Sequence, residues 1–400
     1  MRKAEETVDP LAALLRLPAS ERTDRGLLYT PGEIAQQPAT WRETYRRLRP
    51  RVTQIREFLE QSGVRAAGER RPVVFLVGAG TSDYIGRSLW HLLRAEWQCE
   101  VFPVPSPDLL TDFSEFALPG RPYLWISFSR SGDSPEGVAV VERAIAERAE
   151  IRHLVISCNS SGRLLRAIEG RPHMAVQLDE STNDRGLAMT SSFTNMVIAG
   201  QMLAHAWTID TYEPICHRLA DAAQQLIPLA AALAAELAEK QYTRVCFVGS
   251  GVLAGAATES ALKLLELTAG NVQAFAQSTL SLRHGPMAAI DADTLFVSLV
   301  ASQPQRRNYD LDLLREVGDK SLGRTRLAIA TSDLAGLGPL ADAVLAPERS
   351  YDIPDFYRPV LDVIFGQLLG MFASLQFGLK PDAPSPSGAI NRVVQNVEIY

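Results

Sequence analysis

The chain contains the stretch YLWISFSRSGDSPE at residues 123–136, and this stretch indicates how the chain folds. Its apolar first part is typical of a buried strand, and a helical pattern begins directly after it. The first amides of a helix have no partners within the helix, so they favour an anion. Ser129, Ser131 and Ser134 add hydroxyl donors there, and Gly132 permits close approach of the backbone. The stretch therefore predicts a strand–turn–helix unit with a site for a phosphate monoester.

Strand-like and helix-like segments alternate on both sides of this stretch. We predict strands at residues 73–77, 99–104, 123–127, 152–157 and 174–178. After an alanine-rich helix the pattern restarts, with strands predicted at residues 245–248, 294–300, 326–330 and 343–346. Apolar strands connected by helices are typical of parallel sheets that helices cover on both faces. Because a Gly-x-Gly turn follows the first strand of each series, we predict an α/β protein with two duplicated domains.

The domain boundaries follow from where these patterns start and stop. We predict a helical N-terminal arm at residues 1–54, a first α/β domain at 55–210, a second at 217–378 and a short C-terminal tail at 379–400. Within the arm, residues 30–33 (TPGE) have the pattern of a capping box, in which a hydroxyl and a glutamate cap the start of a helix.

Composition argues against several classes of protein. The 400 residues are 46% hydrophobic and 22% charged, which is typical of a soluble globular protein. The formal net charge of −6 argues against binding to nucleic acid or to an anionic membrane. No apolar run approaches the roughly 20 residues of a membrane span, and the first residues lack a signal-peptide core, so we expect a cytoplasmic protein. The four cysteines are far apart, so we expect reduced core residues and no metal site.

Two motifs have alternative interpretations. Residues 249–254 (GSGVLA) match the G-x-G-x-x-A fingerprint of dinucleotide-binding turns. Tight strand-to-helix turns need glycine in any case, so this match alone is weak support for a nicotinamide cofactor. The serines at 129–134 would also suit helix capping, but three of them exceed what one helix needs. We therefore expect no organic cofactor and favour phosphate binding.

The motifs together resemble one family. The pairing of GAGTS (78–82) with SRSGDS (129–134), and the run ESALKLLE (259–266), resemble the sugar isomerase (SIS) domain. Two such domains in tandem are similar to the isomerase half of glucosamine-6-phosphate synthase. The whole set most resembles the AgaS family of galactosamine-6-phosphate deaminase/isomerases, also described as tagatose-6-phosphate ketose/aldose isomerases. Further motifs of that set are EIAQQPATW (33–41), AMTSSFT (188–194), LRHGPM (282–287) and a tail run from 384 to 394.

The resemblance implies roles in the first domain. The phosphate-binding positions of SIS proteins fall on Ser82, Ser129, Ser131 and Ser134, and the backbone of Arg130 would contribute from the same loop.

The resemblance also implies a catalytic set in the second domain. Glu266 stands where the synthase carries its proton-shuttling glutamate, Lys263 lies three residues before it, and Glu259 matches a supporting acid. His284 matches the histidine linked to sugar ring opening. Taken without the resemblance, the three charged residues would form a solvated ion-pair ladder on one helix face, and His284 would be a loop histidine with no task. The leucines around the ladder predict a buried helix instead.

Two positions depart from the synthase pattern. The synthase has an active-site lysine in its tail, whereas Arg392 is the only cation of residues 391–400. It also has a hydroxyl residue where Met189 stands, although Thr190 and Ser191 follow directly. The missing lysine favours the AgaS type over the synthase type.

The AgaS resemblance implies an enzyme that converts galactosamine 6-phosphate to tagatose 6-phosphate and ammonia. Ring opening and proton transfer from C2 to C1 would need neither a cofactor nor a metal. The expected partner is a small-molecule sugar phosphate, and the family implies a homodimer or a larger homo-oligomer. Alternatives are a glucosamine-6-phosphate deaminase, another aldose–ketose phosphosugar isomerase or, from another class, a non-catalytic SIS protein that binds a sugar phosphate for regulation.

Overall fold

A computed structural model describes residues 9–349, 351–394 and 397–400. The chain divides into two compact units. The N-sheet unit comprises the described residues within 39–184, 191–217 and 391–400, and the C-sheet unit comprises those within 1–38, 185–190 and 218–390. Each unit therefore combines segments that are distant in sequence. The predicted boundaries at residues 54, 210 and 378 stay predictions.

The strands form two sheets whose strand pairs are all parallel. The N-sheet comprises β1 Val73–Gly78, β2 Glu100–Pro105, β3 Tyr123–Ser129, β4 Arg152–Ser157 and β5 Met174–Gln177. The C-sheet comprises β6 Arg244–Gly249, β7 Gln273–Ser278, β8 Thr294–Leu299, β9 Thr325–Ile329 and β10 Ala343–Leu345. The strand order is β2-β1-β3-β4-β5 in the N-sheet and β7-β6-β8-β9-β10 in the C-sheet. Position by position these orders are the same, which confirms the predicted α/β fold with a duplicated parallel sheet.

Helices connect the strands and extend from both series. In the first half they are α1 Pro10–Arg16, α2 Ala19–Arg25, α3 Thr30–Ala35, α4 Gln37–Leu48, α5 Val52–Gln61, α6 Thr81–Trp97, α7 Ser106–Thr111, α8 Phe113–Phe116, α9 Pro135–Glu147, α10 Arg163–Ala167 and α11 Ser191–Ala204. In the second half they are α12 Ile209–Glu239, α13 Leu253–Leu267, α14 Pro304–Asp319 and α15 Pro359–Gln376. Short 3₁₀ helices include Ser281–Arg283, Pro286–Ala289 and Asp355–Tyr357.

The central strands are buried along their whole length. Every residue of β1 and of β8 is buried, as expected for strands that helices cover on both faces. In the N-sheet, Trp125 is fully buried and stacks on Phe75, with Phe113 packed edge-on against it. Such aromatic packing contributes apolar burial and fixes the helix α8 against the sheet.

Each sheet has one topological switch point, between β1 and β3 and between β6 and β8. Ligands of open α/β sheets bind outside the carboxyl ends of the strands at such a point. Val77 pairs with Ser127 and Gly249 pairs with Leu299, so the two switch strands end at the same edge of their sheet. The loops that follow them are therefore the candidate binding loops of each unit.

Two elements are absent from the sequence-based assignment. Strand β7 (QAFAQS) lies at the edge of the C-sheet, and its residues are half-buried or exposed, so it lacks an apolar run. Helix α14 is mostly polar along its sequence PQRRNYDLDLLREVGD, which hides its buried face.

The predicted capping box is wrong. The Thr30 hydroxyl donates to the Asp382 carboxylate at 2.8 Å, and that carboxylate also accepts from the amides of Leu28 and Thr30. The Glu33 carboxylate accepts from the amide of Arg185. The N-cap residue of α3 is Tyr29, which makes no side-chain capping hydrogen bond. A distant carboxylate has thus replaced the local cap.

One helix corrects the expectation about apolar runs. By length and composition alone, α15 is long and apolar enough to cross a membrane. However, 89% of that helix window is buried inside the protein, as in the core helix of a globular domain. The four cysteines are free and buried, which confirms the prediction of reduced core residues.

Candidate active site

The serine loop (residues 129–134) follows β3 at the switch point of the N-sheet. Helix α9 begins directly after it, with Ser134 at the N-cap position. Gly132 has a φ of +70°, and a Cβ there would lie 2.9 Å from the Cα of Gly162. Glycine is therefore required at this position for the backbone conformation and for the close contact with the neighbouring loop.

The hydroxyls of Ser129 and Ser131 accept hydrogen bonds from nearby backbone amides, and their own hydrogens are donated to none of the described residues. Ser129 Oγ accepts from the Gly132 amide at 2.9 Å, and Ser131 Oγ accepts from the Asp133 amide at 3.2 Å. Neither hydroxyl donates to a residue that the structure describes. Each can therefore still donate a hydrogen bond to an anion.

The helix-cap alternative does not account for these serines. Ser134 occupies the N-cap, yet its side chain makes no capping hydrogen bond and donates to Glu136 at 3.0 Å. The first amides of α9 thus remain the anion-attracting end of the helix.

Ser82 supplies a further hydroxyl from the neighbouring strand end. It is the second residue of α6 and is buried, and its hydroxyl bonds to none of the described residues. A Cβ on Gly78 would lie 2.4 Å from the backbone of Ser82, so the glycine lets the turn close tightly. Because β1 and β3 are parallel neighbours, Ser82 and the serine loop lie at the same edge of the N-sheet.

Residues that sequence analysis did not select hold the serine loop in place. The side-chain amide of Asn159 donates to the Ser131 carbonyl at 2.7 Å, and the Leu164 amide donates to the Gly132 carbonyl at 2.8 Å. The Arg163 amide donates to the Asp133 carboxylate at 3.0 Å. The only sequence signal for Asn159 is its position two residues after the end of β4, at the same sheet edge.

The C-terminal tail is attached to the serine loop. Arg130 is buried, and its guanidinium donates to the carbonyl of Arg392. Arg392 in turn donates to the Asp184 carbonyl at 2.7 Å and to the Asn183 side chain at 2.6 Å. Ser191 lies two residues after Met189, the position that departs from the synthase pattern. Its hydroxyl donates to the Asp184 carboxylate. The predicted role of Arg130 concerned its backbone, whereas its side chain links the loop to the tail.

In the C-sheet unit, helix α13 carries the three predicted charged residues in direct contact. Lys263 Nζ lies 3.3 Å from Glu259 Oε1 and 2.6 Å from Glu266 Oε2. The side chains of Glu259 and Lys263 are fully buried, while that of Glu266 is 26% exposed. Burial opposes the charged form of Lys263, but the two carboxylates outweigh it and raise the pKa of the ammonium.

The solvated-ladder alternative is therefore wrong for this face of α13. A buried lysine ammonium holds one oxygen of Glu266 by a charge-assisted hydrogen bond, and the carboxylate remains accessible. A fixed, accessible carboxylate is suited to moving a proton between adjacent carbons of a substrate.

Helix α15 packs closely against this charged helix. A Cβ on Gly366 would lie 2.4 Å from the Cβ of Ser260, and one on Gly370 would lie 3.0 Å from the Lys263 carbonyl. Glycines therefore bring the α15 backbone against the turn that carries Lys263.

His284 lies in an exposed turn between two 3₁₀ helices, Ser281–Arg283 and Pro286–Ala289. Buried Leu282 and an ion pair between Arg283 and Glu316, at 2.6 Å, anchor that turn. No hydrogen bond or ion pair joins His284 to Glu266 among the described residues. The turn presents the imidazole outward.

In the Gly-x-Gly turn after β6, the first glycine, Gly249, is required for close packing. A Cβ on Gly249 would lie 2.7 Å from the Leu253 carbonyl oxygen. The Ser250 hydroxyl donates to Thr279 at 2.9 Å. This geometry explains the fingerprint-like sequence without a dinucleotide. Among the described residues, no group of three or more His, Cys, Asp or Glu side chains could hold a metal ion.

Known proteins resemble the chain over nearly its whole length. A Streptomyces coelicolor protein that carries the AgaS name is 40% identical over 388 residues, which cover 96% of this chain and 98% of that protein. The D-galactosamine-6-phosphate deaminase AgaS of Escherichia coli is 37% identical over 376 residues, covering 93% and 95%. A crystal structure of tagatose-6-phosphate ketose/aldose isomerase from Escherichia coli superposes with a TM-score of 0.81 at 33% identity, covering 89% and 95%. No family model matches the chain.

Proposed function

Because the chain belongs to the AgaS family of SIS-type galactosamine-6-phosphate deaminases, we propose that it converts galactosamine 6-phosphate to tagatose 6-phosphate and ammonia. The observation that most supports this chemistry is the accessible Glu266 carboxylate held at 2.6 Å by a buried lysine. A sensor that only bound sugar phosphates would have no use for that arrangement, which is costly to bury.

The phosphate of the substrate is bound by the serine loop. The hydroxyls of Ser82, Ser129 and Ser131 donate to the phosphate oxygens, and the amides that begin α9 add the positive end of the helix dipole. Ser134 stands at the N-cap, and Arg130 keeps the loop joined to the tail. Phosphate binding therefore relies on neutral donors, and other residues act on the sugar carbons.

The reaction begins with ring opening, in which His284 moves a proton from the C1 hydroxyl to the ring oxygen. Glu266 then removes the proton from C2 while the C1 oxygen is protonated, and an enolamine forms. The same carboxylate returns its proton to C1, which leaves a protonated imine at C2. Water hydrolyses the imine to the ketose phosphate and ammonia. One carboxylate serves as base and then as acid, because the two carbons are adjacent.

Lys263 and Glu259 position the proton-transferring group. The ammonium of Lys263 orients Glu266 at one end and is balanced by Glu259 at the other. Because the pKa of Lys263 is raised, the lysine stays charged throughout the neutral range. No step of this reaction requires a metal or an organic cofactor.

A substrate panel tests the proposal. The purified chain is incubated with galactosamine 6-phosphate or glucosamine 6-phosphate, and ammonia and ketose phosphate are measured. We expect equal amounts of ammonia and tagatose 6-phosphate, with kcat/KM higher for the galacto substrate. A preference for glucosamine 6-phosphate would identify the protein as a glucosamine-6-phosphate deaminase. Ketose formation without ammonia from the corresponding aldose phosphate would assign a plain isomerase, and tight binding without turnover would assign a regulatory protein.

We also expect the family's homo-oligomeric state and a cytoplasmic location. Light scattering of the eluted protein should give a mass of at least two chains, and a single-chain mass would contradict this.

A further inference from the structure

The C-sheet unit has a counterpart of the serine loop. Residues 300–303 follow β8, the third strand of their series, and lead into α14, a helix of 16 residues. We call this segment the second switch loop. It occupies the same position in the C-sheet as residues 129–134 occupy in the N-sheet. Its amides and hydroxyl point to the same kind of anion-binding site.

A carboxylate of the chain itself takes those donors. Asp355 accepts from the Ser302 amide at 2.7 Å, the Ser302 hydroxyl at 2.6 Å and the Gln303 amide at 3.3 Å. It is 5% exposed. Two arginines surround it, with Arg358 at 3.2 Å and Arg306 at 3.8 Å. Backbone amides, a hydroxyl and guanidinium groups are the donors that a bound phosphate would use.

A second carboxylate, Asp310, bonds to residues at the strand ends of the same switch point. Asp310 is fully buried and accepts from the Thr279 hydroxyl at 2.6 Å, the Ala301 amide at 2.8 Å and the Ser250 hydroxyl at 3.3 Å. These donors follow β7, β8 and β6, so one side chain ties together three strand ends.

The Asp355 carboxylate also fixes the start of α15. Fully buried Arg358 joins Asp355 to Asp362, at 3.0 Å, and donates to the Val300 carbonyl at 2.7 Å. Burial opposes ionisation of Asp355, but Arg358 and the donors of Ser302 and Gln303 outweigh it and lower its pKa. The carboxylate is therefore ionised at neutral pH, as a phosphate substitute has to be.

We propose that Asp355 is a built-in substitute for a phosphate ligand at the second switch loop, so that each chain has one loop for a sugar phosphate and not two. The internal anion instead positions α15, the helix that packs on Lys263. The statement about sugar-phosphate stoichiometry rests on the proposed function. The occupation of the second loop by an internal anion does not.

Anion rescue tests the substitution without measuring activity. In Asp355→Ala the donors of Ser302 and Gln303 lose their partner, and we expect Tm to fall by roughly 10 °C. Inorganic sulfate should then raise the Tm of this variant by at least half of that loss. Its effect on the native protein is subtracted, so any contribution from the serine loop cancels. Asp352→Ala, which removes an exposed carboxylate nearby, is the matched control and should leave Tm unchanged.

Two further variants separate anion binding from general stabilisation. The double variant Asp355→Ala with Ser302→Ala should lose most of the sulfate rescue, because the hydroxyl donor is gone. Asp355→Asn should show none, because the amide still fills the site. Equal sulfate effects in the native protein and Asp355→Ala would overturn the proposal.

Binding stoichiometry provides a test that does not depend on the folding of an Asp355 variant. Calorimetric titration of the native chain with inorganic phosphate should give one site per chain, lost in Ser131→Ala and kept in Ser302→Ala. Two sites, or one lost in Ser302→Ala only, would overturn the proposal. Failure of the proposed function would instead appear as absent ammonia release with this stoichiometry intact.

Discussion

The two sheets share one strand order but differ in what surrounds their switch points. In the N-sheet unit, the hydroxyls of Ser82, Ser129 and Ser131 have hydrogens that no described residue accepts. In the C-sheet unit, the equivalent donors are bonded to Asp355 and Asp310. The topology therefore provides an anion-attracting loop in each sheet. Whether the donors of that loop can bind a ligand depends on carboxylates from other parts of the chain.

Under the proposed function, this difference divides the tasks of a duplicated fold between its two halves. A loop whose donors are already satisfied contributes to stability, whereas a loop with unsatisfied donors contributes to binding. In the C-sheet unit the donors of the second switch loop are bonded to Asp355 and are not available to a ligand. This unit contains buried charges, including the row of Glu259, Lys263 and Glu266. Four experiments test this division.

The largest effect is expected at Glu266, the carboxylate proposed to transfer the proton. Glu266→Gln keeps the shape and removes the base, so kcat should fall by about 10³-fold while KM stays within a few-fold. Steady-state kinetics of ammonia release measure both values. Glu239→Gln, an exposed glutamate of α12, should behave as the native enzyme. Full activity of Glu266→Gln would show that this carboxylate does not transfer the proton.

Next in size is the cost of breaking the buried charge row. Lys263→Met leaves two carboxylates without their shared cation, so the free energy of unfolding should fall by about 3–5 kcal/mol. The control is Lys320→Met, which removes a lysine that pairs with Glu316 and is 54% exposed. There we expect a change below about 1 kcal/mol. Denaturant titration checks both, and equal losses would mean that the buried row has no special role in stability.

Matched serines in the two loops give an intermediate effect. Ser131→Ala removes a proposed donor to the phosphate and should raise KM for galactosamine 6-phosphate by about 10- to 100-fold, with little change in kcat. Ser302→Ala removes a donor to Asp355, so it should lower Tm and leave KM within about two-fold. Similar KM changes in the two variants would contradict the division between the loops.

The smallest effect concerns pH. Burial raises the pKa of Asp362 to about 6, against the opposing effect of Arg358. The folded state therefore binds the proton more tightly than the unfolded state, so this residue lowers stability as pH rises through about 6. From pH 5 to pH 7, Asp362→Asn should gain about 1 kcal/mol relative to the native protein. Nearby Asp355 has a lowered pKa and works in the opposite direction, so only the difference between variant and native protein is diagnostic. A constant difference across this range would refute the shift.

Much of the fold could be predicted from local sequence pattern. The strands of the N-sheet are apolar runs of ordinary length, and Gly78 and Gly249 mark the tight turns after β1 and β6. Strand β7 could not be found this way, because an edge strand half-exposed to solvent carries no apolar run. The capping box failed for a different reason, since Asp382 competes for the same donors from 352 residues away in sequence.

The candidate site was predictable where family motifs mark it and not where tertiary contacts make it. The burial of Lys263 followed from the leucines around it, whereas the spacing alone fitted a solvated ladder equally well. Asn159 and Asp355 carry no motif, and their importance depends on loops that meet only after folding. The contact between Arg130 and the Arg392 carbonyl likewise joins residues 262 positions apart.

A crystal structure of Glu266→Gln with galactosamine 6-phosphate would show which of the two loops binds the phosphate. We predict one phosphate per chain, within hydrogen-bond distance of the hydroxyls of Ser82, Ser129 and Ser131, with the Asp355 carboxylate still bound to Ser302. A phosphate bound at Ser302 and Gln303, with Asp355 displaced, would contradict the account.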